Sequence, residues 1–125
     1  MLTKYQAFHL WISDFVNGNA FTANNVPEGA GFPRITYTLP NTEFDSVVSV
    51  NASIWYKSHK WEEILLKADE IYDNIGLGGK LLSFNDGAGK IWVKRGTPFS
   101  QPMDDEDSTI RRILLTFEIE ILQAR

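Results

Sequence analysis

The chain has 125 residues, a formal net charge of -4 and 43% hydrophobic residues, which suits one domain over residues 1–125 that buries roughly two thirds of the surface its unfolded form exposes. It has no cysteine, which excludes disulfides, thiolate metal sites and thiol nucleophiles and fits a reducing cytoplasm. No basic cluster exceeds a pair (Lys94-Arg95, Arg111-Arg112), no run is apolar enough to span a membrane, and the N-terminus has no secretory-signal pattern, so neither nucleic acid, membrane nor secretion is expected.

Residues 4 to 16 carry Tyr5, Phe8, Ile12, Phe15 and Val16 on one helical face, with Thr3 and Gln6 placed as a capping box and Gly18 as a stop. His9 reads as a packed or surface helix residue and not as a ligand, because no second histidine lies within helical reach. From Asn17 to Pro33 the sequence loses its period and favours turns, although it holds Phe21, Val26 and Phe32, which are expected to pin the segment to the sheet, with a partner-facing role as the alternative.

Arg34 to Leu39 alternates as a strand. Val47 to Tyr56 does the same over a longer stretch, with Val48, Val50, Ala52, Ile54 and Tyr56 on one side and Ser49, Asn51, Ser53 and Trp55 on the other. The two form an expected antiparallel hairpin, and Asn51-Ala52-Ser53 is an accidental glycosylation sequon.

The second helix has Trp61, Ile64, Leu65, Ala68, Ile71, Tyr72 and Ile75 on one face, with Ser58 able to cap its start and Gly76 its end. Leu66 breaks its charged side. A further hairpin follows (L-L-S-F, turn N-D-G-A-G, K-I-W-V-K-R), then fourteen residues without a period, Gly96 to Thr109. The last strand is the clearest element of all: Ile113, Leu115, Phe117, Ile119 and Ile121 alternate with Arg112, Leu114, Thr116, Glu118 and Glu120. The expected fold is therefore α+β in the order α-β-β-α-β-β-β, with one mostly antiparallel sheet of about five strands and both helices on one face.

The search for chemistry returns nothing. Gly87 to Lys90 resembles a phosphate loop only superficially, since it has Ile91 where Ser or Thr would meet magnesium and precedes a strand. Asp104, Asp105, Glu106 and Asp107 have neither the central glycine nor the distant bidentate Glu of a calcium loop. The two histidines, His9 and His59, sit in no triad motif. The expectation is no enzyme, no cofactor and no metal. Phe99 and Met103 are apolar, Pro98 and Pro102 limit the freedom of the segment and the acidic run gives it charge of one sign, which suits docking on a complementary surface and equally a surface loop with its apolar residues folded back on the sheet.

The stretches V-P-E-G-A-G-F-P-R-I-T-Y-T-L-P (Val26 to Pro40), S-V-N-A-S-I-W-Y-K-S-H-K-W-E-E-I (Ser49 to Ile64), I-W-V-K-R-G-T-P-F-S-Q (Ile91 to Gln101) and M-D-D-E-D-S-T-I-R-R-I (Met103 to Ile113) together resemble the tail terminator, or tail completion, proteins of long-tailed bacteriophages, prophages and phage-tail-like particles. The likeness covers about residues 20 to 122, in order. It implies a small α+β subunit, made in the bacterial cytoplasm, that forms a six-fold ring at the head-proximal end of the virion tail. Such a ring caps the tube protein, ends tube polymerisation, faces the head-neck connector and, in contractile tails, meets the sheath protein.

The resemblance carries over no catalytic residue and no ring contact. For such a role the two irregular segments are the natural arms, giving an expected interface of Phe21, Val26, Phe32, Phe99, Met103 and the run Asp104, Asp105, Glu106, Asp107, with Lys94, Arg95 or Arg111 on another structure as the opposite charge. Two alternatives remain open: a neck or head-completion connector protein, and a small-molecule-binding domain or enzyme with an apolar pocket near Trp55 and Trp92.

Overall fold

The computed structural model describes residues 2–40 and 46–123. Its elements are α1 (Lys4–Ser13), a 3-10 turn (Asp14–Val16), β1 (Ala20–Thr22), β2 (Arg34–Tyr37), β3 (Val47–Lys57), α2 (Glu62–Ile75), β4 (Lys80–Phe84), β5 (Gly89–Met103) and β6 (Ile110–Gln123). The domain is α+β, with two helices on one mixed sheet of six strands in the order β1-β2-β3-β6-β5-β4.

β6 is the centre of the sheet, with β3 antiparallel on one side (Ala52 opposite Leu115, Ile54 opposite Ile113) and β5 on the other (Ile91 opposite Ile121, Val93 opposite Ile119). Residues opposite one another in register share a face, so Ile113, Leu115, Phe117, Ile119 and Ile121 line up with Ala52, Ile54, Ile91 and Val93, and all are buried. Ala7, Phe8 and Ile12 of α1 and Ile64, Ala68, Ile71 and Ile75 of α2 cover that face. The Phe8 ring meets Phe117 edge-on at 6.2 Å and Trp11 donates to Asn74 Oδ1 at 2.8 Å, tying α1 to the end of α2.

The caps agree with the expectations in part. Thr3 and Gln6 form the capping box, and α2 ends at Gly76, whose N–H donates to the Tyr72 carbonyl. The first helix gives way after Ser13 to the 3-10 turn, and left-handed Asn17 closes it one residue ahead of Gly18. Ser58 does not cap α2: its Oγ accepts from Lys60 N–H within the preceding turn, and Trp61 stands at the cap without a side-chain bond.

Two larger corrections concern the aperiodic segments. Ala20–Thr22 forms a sixth strand, parallel to β2, which makes the sheet mixed. It escapes periodicity because three residues are too short to show a period. Gly96 to Thr109 is not a fourteen-residue loop: β5 continues to Met103, and only Asp104 to Thr109 turns back into β6. A bulge hides this continuation, since Arg95 pairs with Phe117 and Ser100 with Leu115 while Gly96 to Phe99 lie opposite Thr116 alone. Extra residues break the alternation and bend the strand. Here the bend places the Phe99 ring 5.7 Å from Phe117 and 5.3 Å from Tyr72, beneath α2.

Candidate functional site

The helices leave the other face of the sheet uncovered. The alternation that buries Ile54 and Ile113 puts Trp55 and Arg112 on this open face, and their register forms one row across four strands: Arg34 (β2), Trp55 (β3), Arg112 (β6) and Met103 (β5). A second row runs Phe21, Thr36, Ser53, Leu114 and Gln101. Between these rows and the 23–26 stretch lies a groove of about 480 Å³ that Ala23, Val26, Thr36, Asn51, Ser53 and Leu114 line together with the Arg34–Trp55–Arg112 trio.

Trp55 stands between two cations. The guanidinium of Arg112 lies 4.7 Å from its ring and that of Arg34 5.8 Å, while Arg34 also lies 4.4 Å from the Phe32 ring. Such contacts favour a positive charge over the negative face of an aromatic. Hydrogen bonds fix the group in place: Trp55 Nε1 donates to Thr36 Oγ1 at 3.0 Å, Arg112 Nε to Ser53 Oγ at 3.1 Å and one Arg34 Nη to the Ala30 carbonyl at 2.9 Å. Arg34 Nε is buried against the rings without an acceptor among the described residues. Among the described residues neither arginine has a carboxylate within 4.0 Å; the ion pairs there are Lys67 with Glu70 and Lys94 with Glu120. The groove is a cationic, aromatic, hydroxyl-bearing surface, and among the described residues no acid and no imidazole lines it. It can hold anionic groups.

The 17–33 segment packs beside β2 and frames this groove. Asn19 holds its two ends together, donating through Nδ2 to the carbonyls of Gly31 (2.9 Å) and Pro33 (2.8 Å). Phe21 thereby lies beside Thr36, Val26 lines the groove and Phe32 stacks on Arg34. These three expected contact residues come together.

The remaining expected residues scatter. Arg95 lies 3.3 Å from the Tyr72 ring and donates from Nε and one Nη to the Tyr72 carbonyl, so its charge closes the C-terminal end of α2. Arg111 donates to the His59 carbonyl at 2.7 Å and stands over Trp61, pinning the turn before α2. Phe99 belongs to the core under α2. Lys94 is on the open face, 4.2 Å from the Trp92 ring and 4.0 Å from Glu120. Met103 ends the arginine row.

Asp104, Asp105, Glu106 and Asp107 form the tip joining β5 to β6. Asp105 Oδ1 accepts from the Asp107 N–H, and Asp107 Oδ1 accepts from both the N–H and the hydroxyl of Thr109 at 2.8 and 2.6 Å. The two bonds from Thr109 hold the Asp107 carboxyl below the usual carboxylate range. Asp104 and Glu106 are exposed, with no ion partner among the described residues.

Away from the groove, His9 Nδ1 and the Tyr37 hydroxyl are 2.8 Å apart, and burial pushes the Tyr37 phenol up. Among the described residues no three His, Asp or Glu side chains gather as a metal site, and no helix is long and apolar enough to cross a membrane. Sequence reasoning missed Arg34, Arg112 and Leu114. The available signal was a tryptophan on the wet side of a strand, where alternation alone asks for a polar residue. Compared by sequence with known proteins, the chain matches no family model and no curated protein.

Proposed function

We propose that this protein is a structural subunit of a phage-type tail, forming a six-fold ring that caps the tail tube, ends its polymerisation and offers the head-neck connector a surface to join. On this reading it works without catalysis, cofactor or metal. Its partners are further copies of itself, the tube protein, the connector and, in a contractile tail, the sheath protein. Its place is the head-proximal end of the virion tail.

The observation that carries the reading is the open sheet face: a prepared Arg34–Trp55–Arg112 row with neither helix nor carboxylate over it among the described residues. A ring subunit needs two unlike surfaces that fit one another, and the acidic tip at Asp104 to Asp107 is a second surface of opposite sign. The resemblance in the stretches around Val26 to Pro40 and Met103 to Ile113 points to the same role.

The test adds purified protein to polymerising tube protein and images the product by negative stain. The expected result is shortened tubes with a ring at one end. Tubes of unchanged length with bare ends overturn the reading, and rings bound to connector protein alone turn it into a neck protein. The groove itself favours one further reading, a binding module for a small anionic molecule, because its volume falls in the range of roughly 300–1,000 Å³ typical of ligand sites. Saturable binding of a carboxylate or phosphate compound that Arg112→Gln abolishes, with tube length unaffected, selects that module.

A further inference from the structure

The ring reading leaves open which surfaces meet, and the charges of this chain narrow the choice. Arg34 and Arg112 hold two positive charges on the open face with no carboxylate within 4.0 Å among the described residues. They flank Trp55 from adjacent strands on either side, so their backbones stand two strand spacings, roughly 10 Å, apart. On the tip, Asp105 and Asp107 spend a carboxylate oxygen on the turn's own bonds, whereas Asp104 and Glu106 are exposed and unspent. Those two residues are separated by at most roughly 7 Å of chain, and the reach of the arginine side chains covers the difference.

The tip of the same chain does not satisfy the groove. Met103 pairs beside Arg112, but Arg112 Nε donates to Ser53 and holds its guanidinium toward β3 and Trp55.

We propose that the Arg34–Trp55–Arg112 groove receives the Asp104–Glu106 tip of a second copy of this chain. The inference rests on the ring reading for its closure. Tip and groove are different patches, so the contact is head-to-tail and extends from copy to copy until the rotation closes. Two guanidinium–carboxylate contacts against an aromatic wall supply direction, and Leu114 and Val26 supply the apolar part of the surface.

The test uses charge exchange on the full chain and reads mass by light scattering and sedimentation, alone and on tail tubes. A tip variant, Asp104→Lys with Glu106→Lys, changes only exposed side chains outside the turn's own bonds. A groove variant carries Arg34→Glu with Arg112→Glu. Each by itself is expected to raise the concentration needed for assembly by about tenfold or more, and mixing the two is expected to restore it, since each groove then finds a tip of opposite charge. Circular dichroism checks that the groove variant is folded, and the tip variant gives the answer if it is not. Wild-type rings that both variants form equally well overturn the tip-in-groove contact and leave the ring reading standing. A wild-type chain that stays monomeric both alone and with tubes overturns both.

Discussion

Leu114 and Leu115 are neighbours in sequence on the same strand, and they belong to different parts of the molecule. Leu115 is fully buried between β3 and β5 under the helices, whereas Leu114 lines the open groove beside Arg112 and Ser53. The same alternation thus builds two faces with different tasks. One face binds the chain to itself, and the other keeps aromatic, aliphatic and cationic groups available at the surface. An uncovered face that served solubility alone would not place Trp55 between two arginines.

The comparison is sharpest in stability. Leu115→Ala should cost about 2–5 kcal/mol, because it removes packed atoms from a site with little freedom to collapse, and urea unfolding measures it. Gly96→Ala comes next. A Cβ at Gly96 would lie 2.5 Å from the Thr116 carbonyl oxygen, at the start of the bulge that carries Phe99 under α2, so a loss of about 1–3 kcal/mol is expected. A loss below that range would show that the bulge relaxes freely and that Phe99 is not held by it.

Leu114→Thr should change stability by no more than about 0.5 kcal/mol, as a substitution on the open face that introduces a β-branched residue, a side chain strands accept well. It should nevertheless weaken association of copies, read by sedimentation. If it unfolds the protein as Leu115→Ala does, the two faces are not distinct in the way described.

Much of this division was legible in the alternation of Val47 to Tyr56 and of Ile113 to Ile121, which assigned every core residue of β3 and β6 to its face. What the sequence hid was local. β1 is too short to show a period, and its parallel pairing with β2 depends on the Asn19 side chain gathering a distant turn. The bulge at Gly96 to Phe99 interrupts alternation in the middle of a strand, so half of β5 read as a loop. The groove was partly visible: Phe21, Val26 and Phe32 were singled out, but Arg34 and Arg112 passed as ordinary polar-face residues because their common row depends on register between strands far apart in sequence. Arg95 and Arg111 looked like free charges, and their carbonyl acceptors at Tyr72 and His59 are fixed only by the fold.

The smallest expected effect concerns the tip that should meet the groove. Asp107 accepts two bonds from Thr109, and its carboxyl is held below the usual carboxylate range mainly by the Thr109 hydroxyl, then by the Thr109 N–H. The sign follows from which form makes the bonds: the carboxylate accepts both. Its contribution is therefore complete above the ordinary aspartate pKa of about 3.9 and is lost as pH falls through the lower value of the folded protein. The Thr109 amide shift should titrate with a midpoint below that of a free aspartate, and Asp107→Ala should remove the titration while leaving the amides of β6 beyond Ile113 unmoved. A midpoint at or above the ordinary value would mean the turn is open in solution. Asp104 and Glu106 would then have no fixed spacing with which to address the two arginines of a neighbouring copy.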